Sequence, residues 1–330
     1  MKRKALIIIT ALAMALACVA QAAAQKRDKA TEKDVDVNVE TGEQLERTVA
    51  TSKNVLVTIC LASGDIQVRG WDRSEVKVTA TSARRLELQG GGMNPPQRIE
   101  VVLSNAPRTS QGEPLVCDCR GVSDLEINVP RGATLDLQVR SGDIEVAQVA
   151  EARIKTTSGD INVSDVTRGV DASTLSGDVS LTNSAGRVKL QSVSGDVDAT
   201  NVRMVEAGDD FSASSTSGDI NLEGVAQARL SANSTSGTVT LTGNLAPHGS
   251  YNLNSFSGDV VLNLPQDSAF RLNARAPQSS IATDFAVKSR SEGDAQSLLE
   301  GGTLTGYYGA HDWASLTIQS FSGTVRLQKR

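Results

Sequence analysis

The sequence predicts an all-β fold, a β-solenoid whose single domain is a parallel, β-helix-like stack of coils of about 18–20 residues each. Three observations lead to this prediction. A Ser-Gly-Asp or Ser-Gly-Thr motif recurs along the chain, apolar and polar residues alternate on both sides of it, and the phase of the alternation changes at the motif. The nine motifs begin at Ser63, Ser141, Ser158, Ser176, Ser194, Ser217, Ser236, Ser257 and Ser322.

Each motif stands between two short segments that alternate as half-buried β-strands do. Apolar residues lie six and four residues before the serine, as Val188 and Leu190 do before Ser194, and mostly small hydroxyl residues lie two before it. The third and fifth residues after the serine are apolar, as Val197 and Ala199 are. Because the apolar offsets are even before the serine and odd after it, the motif is predicted to be a corner between two strands.

Glycine and aspartate suit such a corner. Glycine reaches positive φ without a Cβ clash, and aspartate accepts hydrogen bonds from backbone N–H groups in an Asx-type turn. We therefore predict structural turns at nine glycines: Gly64, Gly142, Gly159, Gly177, Gly195, Gly218, Gly237, Gly258 and Gly323.

The two ends of the regular array carry less regular β-rich sequence, since a solenoid needs ends that prevent further coils from adding. The motifs at Ser63 and Ser322 are copies of the same unit. Residues 90–97, which are rich in glycine and proline, and residues 107–124 are predicted loops.

The N-terminus has the layout of a secretory signal peptide. Lys2, Arg3 and Lys4 precede an uncharged run at residues 5–20, which is shorter than the roughly 20 apolar residues that span a bilayer. We predict a signal peptide at 1–24, a flexible leader at 25–34 and a solenoid domain at 35–330, with regular repeats at about 133–265. The mature chain is expected to be exported, to the periplasm, the outer membrane or the cell surface, without a transmembrane segment. A lipid anchor at Cys18 is the less favoured alternative.

Charge and cysteine usage narrow the partners. The formal net charge is −5 before the basic signal residues are removed, so nucleic acid is not an expected partner. Export permits a disulfide, and Cys60 with Cys117 or Cys119 would leave one thiol over. Free thiols, or a metal held by Cys117 and Cys119, are the alternatives.

Catalysis and metal binding are not favoured, and no cofactor is expected. Stacked coils would align Asp143, Asp160, Asp178, Asp196, Asp219 and Asp259 in a column to which calcium could bind. Turn chemistry is the preferred interpretation, because Thr238 and Thr324 replace the aspartate without breaking the unit. His248 and His311 lie far apart, and no Gly-x-Ser-x-Gly elbow is present, so no catalytic residue is predicted.

Two groups of residues are candidates for contact with a partner. Leu175, Val193, Phe256 and Phe321 stand immediately before a motif serine, in the outward phase of the strand. They either form a partner surface or are covered by the terminal segments, and cover is preferred. Tyr307, Tyr308 and Trp313 form a C-terminal aromatic cluster with the same two interpretations.

The chain resembles the bacterial putative-adhesin families of unknown function that consist of β-strand repeats. The resemblance covers about residues 35–330. It is carried by the Ser63–Asp72 segment Ser-Gly-Asp-Ile-Gln-Val-Arg-Gly-Trp-Asp, by Ile-Asn-Val-Pro at 127–130, by the serial Ser-Gly-Asp-Ile/Val units and by the C-terminal Ser-Phe-Ser-Gly-Thr-Val-Arg-Leu. It implies an envelope location and a β-helix-like fold, whereas fold alone does not assign function.

The resulting functional prediction is an exported, non-enzymatic cell-envelope protein, either structural or an adhesin-like binding module. Its expected partner is an envelope protein or glycan. A carbohydrate-active β-helix enzyme is the alternative from another class, and an envelope-stress or signalling accessory protein is a third.

Overall fold

The computed structural model describes residues 44–81, 83–91, 94–104, 121–288 and 298–330. They belong to one compact unit that spans residues 38–330, and among them 25 strands and no helix are found. The all-β prediction is confirmed, and the strands stack as in a solenoid. The predicted signal peptide, the leader, Cys18, Cys117 and Cys119 lie outside the described residues.

The first seven strands are β1 Gln44–Ala50, β2 Leu56–Ser63, β3 Ile66–Trp71, β4 Glu75–Thr81, β5 Arg85–Gly91, β6 Arg98–Ser104 and β7 Asp124–Pro130. The regular array follows as β8 Thr134–Ser141, β9 Ile144–Ala147, β10 Glu151–Ser158, β11 Ile161–Ser164, β12 Gly169–Ser176, β13 Val179–Thr182, β14 Arg187–Ser194, β15 Val197–Val202, β16 Asp210–Ser217, β17 Ile220–Val225, β18 Arg229–Ser234, β19 Val239–Thr242, β20 Ser250–Ser255 and β21 Val260–Leu264. The last strands are β22 Phe270–Thr283, β23 Leu298–Tyr308, β24 Ala314–Ser320 and β25 Val325–Lys329.

Each repeat contributes one strand to each of two layers. The strand before the motif pairs in parallel with the strand before the next motif, and the strands after the motifs pair in the same way. Motif serines align with one another, for example Ser158 with Ser176 and Ser176 with Ser194. We call the strands before the motifs the first layer and those after them the second layer. The motif is therefore the corner that the sequence predicts.

The core lies between the two layers. The apolar residues at the predicted inward offsets are buried, including Val188 and Leu190 before a motif and Val197 and Ala199 after it. The small hydroxyl residues two before the motif serine are also buried, as Ser192 and Ser255 are. Buried hydroxyl groups need hydrogen-bond partners, and the corner supplies them, as described below.

Stacking order departs from chain order at both ends. The coil of β2 and β3 lies between the coil of β6 and β7 and the coil of β8 and β9. The last coil, β24 and β25, lies between the coil of β20 and β21 and the long strand β22. Antiparallel strands then complete the ends: β5 on β6, β1 on β4, β4 on β7, and β23 on β22. The ends thus differ from the regular parallel coils, as the sequence predicts.

Described residues at the edges of the two predicted loops belong to strands. Gly90 and Gly91 extend β5, where Gly90 pairs with Ile99 of β6. Asp124 is the first residue of β7, and Ser123 before it is buried. The first correction arises because β5 pairs antiparallel with β6 and lies outside the repeat pattern. The second arises because Ser123 replaces the motif glycine, which hides the unit that contains Asp124.

Close approach between coils, more than backbone conformation, requires glycine at the corner. A Cβ atom at any of the nine turn glycines would lie 2.0–2.2 Å from a backbone carbonyl oxygen of the preceding coil. That oxygen belongs to the equivalent glycine in every case but Gly64, which lies against Ser123. Positive φ values between 127° and 159° occur at only five of the nine, from Gly64 to Gly195. At the other four glycines the close contact alone requires glycine.

Four Gly→Ala variants separate the contact from the backbone conformation. Gly177 has both the contact and a positive φ, Gly218 has only the contact, Gly302 has only the positive φ, and Gly91 has neither. We expect Gly177→Ala and Gly218→Ala each to lower the free energy of unfolding by about 3 kcal/mol, because the added methyl group overpacks the corner. Gly302→Ala should cost about 1 kcal/mol through strain. Chemical denaturation measures these differences against Gly91→Ala, and a Gly218→Ala variant as stable as Gly91→Ala would contradict the contact explanation.

Candidate functional site

The motif aspartates form a hydrogen-bonded ladder between coils. In each step, the backbone N–H of one aspartate donates to Oδ1 of the aspartate in the preceding coil, as Asp196 donates to Asp178 at 2.8 Å. Seven consecutive steps of 2.7–3.0 Å run through Asp124, Asp65, Asp143, Asp160, Asp178, Asp196, Asp219 and Thr238. An eighth joins Thr324 to Asp259. The acceptor role predicted for aspartate is present, but the donor is in the next coil and not in the same turn.

The ladder includes a residue that sequence reasoning missed. Asp124 occupies the aspartate position of the end coil, and its Oδ1 accepts from Asp65 N–H at 3.0 Å. Ser123 stands there in place of glycine, so a search for Ser-Gly-Asp passes over it. The signal that could have found it is Asp124-Leu-Glu-Ile127, which repeats the aspartate and apolar spacing of the other units.

The corner glycine carbonyls are satisfied by the buried hydroxyl groups of the next coil. Ser192 Oγ donates to the Gly177 carbonyl at 2.9 Å, and Ser255 Oγ donates to the Gly237 carbonyl at 2.8 Å. The same bond is made by Thr174, Ser215, Ser234 and Ser320. This explains why small hydroxyl residues recur two before the motif serine, a preference for which the sequence offers no reason.

These bonds account for the column of aspartates, for which calcium binding is the alternative interpretation. Each aspartate from Asp143 to Asp219 uses one carboxylate oxygen on a backbone N–H of the following coil, and the side chains stand at the exposed edge of the second layer. Within the described part of the chain, no group of three or more His, Cys, Asp or Glu side chains is placed to hold a metal ion.

The outer face of the first layer carries a shallow groove without charged residues. Its volume is about 440 Å³, and it crosses the strands of four successive coils from β12 to β18. We call it the uncharged groove; its lining residues are Ser173, Thr174, Gln191, Ser192, Val193, Ser214, Ser215, Thr216, Asn233, Ser234 and Thr235. The groove thus offers only hydroxyl, amide and methyl groups, in a chain of which 22% of residues are charged.

The residues immediately before the motif serines form an exposed row along one side of this groove. Phe256 is 58% exposed, and its ring stacks on that of Phe321 at 5.0 Å between centroids and 6° between planes. Leu175 and Val193 are 53% and 43% exposed. Among the described residues, no terminal segment covers these side chains in the way that the preferred interpretation expects. The end strands pair edge to edge beyond the last coils and do not lie over the outer face of the first layer.

The C-terminal aromatic cluster divides into a structural part and a surface part. The Tyr308 ring packs on Phe270 and Phe285, and its hydroxyl donates to the Gln266 carbonyl at 3.0 Å. The ring centroids of Trp313 and Tyr307 are 5.3 Å apart, and the Arg271 guanidinium lies over the Trp313 indole. Tyr308 thus closes the end of the core, while Trp313 and Tyr307 are half-buried at the surface.

Two titratable residues outside the aspartate ladder, His248 and Tyr251, contact other residues of the fold. His248 lies 3.3 Å from Asp312, and both side chains are mostly exposed. Tyr251 is buried, its hydroxyl accepts from Ala246 N–H at 2.7 Å, and burial raises its pKa above the usual value. Neither arrangement places a nucleophile beside a base.

Cys60 is the one predicted disulfide residue that falls within the described residues. It lies in β2 and is disulfide-bonded. Its candidate partners, Cys117 and Cys119, lie outside the described residues, so the pairing stays a prediction.

A second groove, of about 420 Å³, lies at the N-terminal end of the second layer and is acidic. Asp65, Asp124, Glu126, Asp143 and Glu145 line it together with uncharged polar residues. Three of the five carboxylates belong to the aspartate ladder, and Glu145 accepts a hydrogen bond from Gln67 Nε2 at 2.9 Å. Most of these carboxylates therefore already have a partner within the stack.

Comparisons with known proteins find one matching family and several solved structures. The Toastrack DUF4097 family matches residues 26–327. The chain belongs to this family. The span of the Toastrack match begins just after the predicted signal peptide and includes every motif. A comparison with curated proteins gives no match.

Solved structures similar to this Toastrack chain include a putative adhesin from Parabacteroides distasonis ATCC 8503, with 11% identity and a TM-score of 0.44 over 87% of this chain and 97% of that chain. A putative adhesin from Bacteroides fragilis NCTC 9343 is 9% identical, with a TM-score of 0.37 over 87% and 98%. A putative lipid binding protein from Parabacteroides distasonis ATCC 8503 is 10% identical, with a TM-score of 0.35 over 87% and 97%. In the described part of the Toastrack chain, no helix has the length and hydropathy to span a bilayer.

Substitutions at Asp178 test the structural role of the ladder. Asp178→Asn keeps the Oδ1 acceptor for Asp196 N–H and removes a like charge from the column, so its stability should equal or exceed that of the wild type. Asp178→Ala removes the acceptor and should lower the free energy of unfolding by about 1 kcal/mol. Thermal denaturation of all three proteins with millimolar calcium and with chelator completes the experiment. A midpoint that rises with calcium in the wild type but not in Asp178→Asn would show a metal site instead.

Peptide mapping without reduction tests the disulfide. We expect Cys60 to be linked to Cys117 or Cys119, and the remaining cysteine of that pair to react with an alkylating reagent. A protein reduced before mapping serves as the control. A link between Cys117 and Cys119 would contradict the prediction.

Proposed function

We propose that this protein is an exported, non-enzymatic binding module of the bacterial cell envelope. One observation carries the proposal: the hydrogen-bonding groups of the repeated corner are used between coils, so the outward side chains of the two layers are what the repeat offers to a partner. The signal-peptide layout of residues 1–24 supports export. The partner is an envelope protein or glycan, held at the periplasm, the outer membrane or the cell surface.

The rigidity of the scaffold suits binding more than turnover. Stacked parallel strands fix each outward side chain relative to those of neighbouring coils, which lowers the entropy lost when a partner binds. Residues of one column lie about 4.8 Å apart from coil to coil, so the scaffold presents a regular array. A repeating or extended partner fits such an array better than a compact small molecule does.

A carbohydrate-active enzyme is the second candidate, and the acidic groove is where its site would lie. Glycoside hydrolysis needs two carboxyl groups with different roles across the bond that is cleaved. The ladder engages Asp65, Asp124 and Asp143 on backbone N–H groups, and Glu145 is held by Gln67. Because these carboxylates accept hydrogen bonds that hold the coils together, their role is structural, and the binding module is favoured over the enzyme.

Sedimentation with envelope material tests the proposal. Protein that begins at residue 25 is expected to sediment saturably with envelope fractions of the bacterium that encodes it, and to release no soluble sugar from them. The acidic-groove variant Glu126→Gln with Glu145→Gln should sediment as the wild type does. Release of sugar that these substitutions abolish would instead establish the enzyme, and absence of sedimentation would refute the binding module.

A further inference from the structure

We propose that the uncharged groove and the stacked pair Phe256–Phe321 bind a neutral glycan chain that lies along the stack, across the strands of the first layer. The inference rests on the proposed binding function and adds its site and its class of ligand. It is drawn from the charge, the hydrogen-bonding groups and the aromatic geometry of this one surface.

The absence of charge extends beyond the groove itself. In the four coils whose motifs begin at Ser217, Ser236, Ser257 and Ser322, the outward residues one, three and five before the serine include no charged side chain. These twelve residues are Ser212, Ser214, Thr216, Ser231, Asn233, Thr235, Asn252, Asn254, Phe256, Thr317, Gln319 and Phe321. The equivalent positions of the two coils at Ser141 and Ser158 hold Asp136, Arg140, Arg153 and Lys155. The change along the stack defines one uncharged surface about 15 Å long.

The uncharged surface keeps hydrogen-bonding capacity for a ligand. Gln191 Nε2 donates to Ser214 Oγ at 3.4 Å, and Asn254 Nδ2 donates to Asn233 Oδ1 at 2.8 Å. Asn254 Nδ2 also donates to Asn252 Oδ1 at 3.2 Å, and Asn233 Nδ2 donates to Ser231 Oγ at 3.1 Å. These contacts do not use every group, since each carboxamide has two donors and an acceptor with two lone pairs. Sugar hydroxyl groups both donate and accept, so they match such a mixed set without requiring charge.

The phenylalanine pair supplies the apolar part of a glycan site. Phe321 stacks on one face of Phe256, and Phe256 as a whole stays 58% exposed. The face of an aromatic ring is electron-rich and attracts the C–H groups on the flat side of a sugar ring. Exposed aromatic rings carry a hydration cost that a bound ligand removes.

A peptide strand is a poorer occupant of this surface. The backbone groups of the first layer are already paired between coils, as in the bond from Thr235 N–H to the Ser215 carbonyl. An added peptide strand would find no free sheet edge on this face, because β-augmentation requires one. An anionic polymer would find no cation in the groove. The neutral glycan is therefore the occupant that we propose.

Two threonines of the same coil give a matched pair of variants. Thr235 lines the groove on the first layer, and Thr240 lies on the outer side of the second layer. Thr235→Lys places a charge in the groove that a neutral ligand would have to desolvate, and we expect the affinity to fall about tenfold or more. Thr240→Lys adds the same charge elsewhere on the surface and should leave the affinity unchanged.

The binding measurement uses defined sugars. Isothermal titration calorimetry of the protein from residue 25 onward is run with cellohexaose, chitohexaose and mannohexaose, and with hexagalacturonate as an anionic match. We expect at least one neutral hexasaccharide to bind, hexagalacturonate not to bind, and the double variant Phe256→Ala with Phe321→Ala to bind about tenfold more weakly. Circular dichroism spectra confirm that every variant is folded.

The outcomes distinguish this inference from the proposed function. Envelope sedimentation that persists while none of the neutral sugars binds, or while Thr235→Lys binds as the wild type does, would overturn the glycan site and leave the binding module standing. Tighter binding of hexagalacturonate would also overturn it. Analytical ultracentrifugation adds one more check: a dimer that the double phenylalanine variant dissociates would assign the surface to a second copy of this chain.

Discussion

The contact on which the structure depends is the approach of each corner glycine to the carbonyl oxygen of the preceding corner. At 2.0–2.2 Å from that oxygen, no Cβ atom can be present, so the spacing between coils fixes the residue. The same oxygen accepts the buried hydroxyl of the following coil, and the neighbouring aspartate accepts the next backbone N–H. One corner therefore determines three positions of the repeat: the motif glycine, the motif aspartate and the hydroxyl residue two before the motif serine. The corner also changes the direction of the chain, which determines which residues on either side of it face the core.

The sequence predicts the strands and the corner because the repeats can be compared with one another. The change from even to odd apolar offsets around Ser194 already implies two layers, and the burial of Leu190 and Val197 agrees. The donor to the Asp178 carboxylate could not be predicted. An Asx turn within one coil and a hydrogen bond from Asp196 N–H of the next coil both require aspartate at this position, so the sequence does not distinguish them. Asp124 was missed because Ser123 replaces glycine. The insertion of β24 and β25 between β21 and β22 was also missed, because residues that stack on one another there are more than 60 positions apart.

In the candidate site too, the position of a residue within the repeat could be predicted, whereas contacts between distant coils could not. Phe256 and Phe321 could be assigned to the outward phase from their position before a motif serine. That they stack on each other follows only from the stacking of the last motif directly on the coil of Ser257. No sequence motif predicts the groove, because its defining property is the absence of charged residues at equivalent outward positions of several successive coils. Alignment of the outward residues by coil is the sequence signal that could have found it.

Stacking itself does not require an uncharged face. The columns that contain Arg153 and Lys155 in one coil contain Ser231 and Asn233 in another, and both coils have the same strand pairing and the same buried residues. Outward positions are thus free of the constraint that fixes Gly159 and Gly237, and a solvated strand ordinarily uses them for charged side chains. A difference in surface chemistry that packing does not explain is best explained by what the surface contacts. For this reason we assign the ligand to the C-terminal half of the first layer and not to the repeated corner.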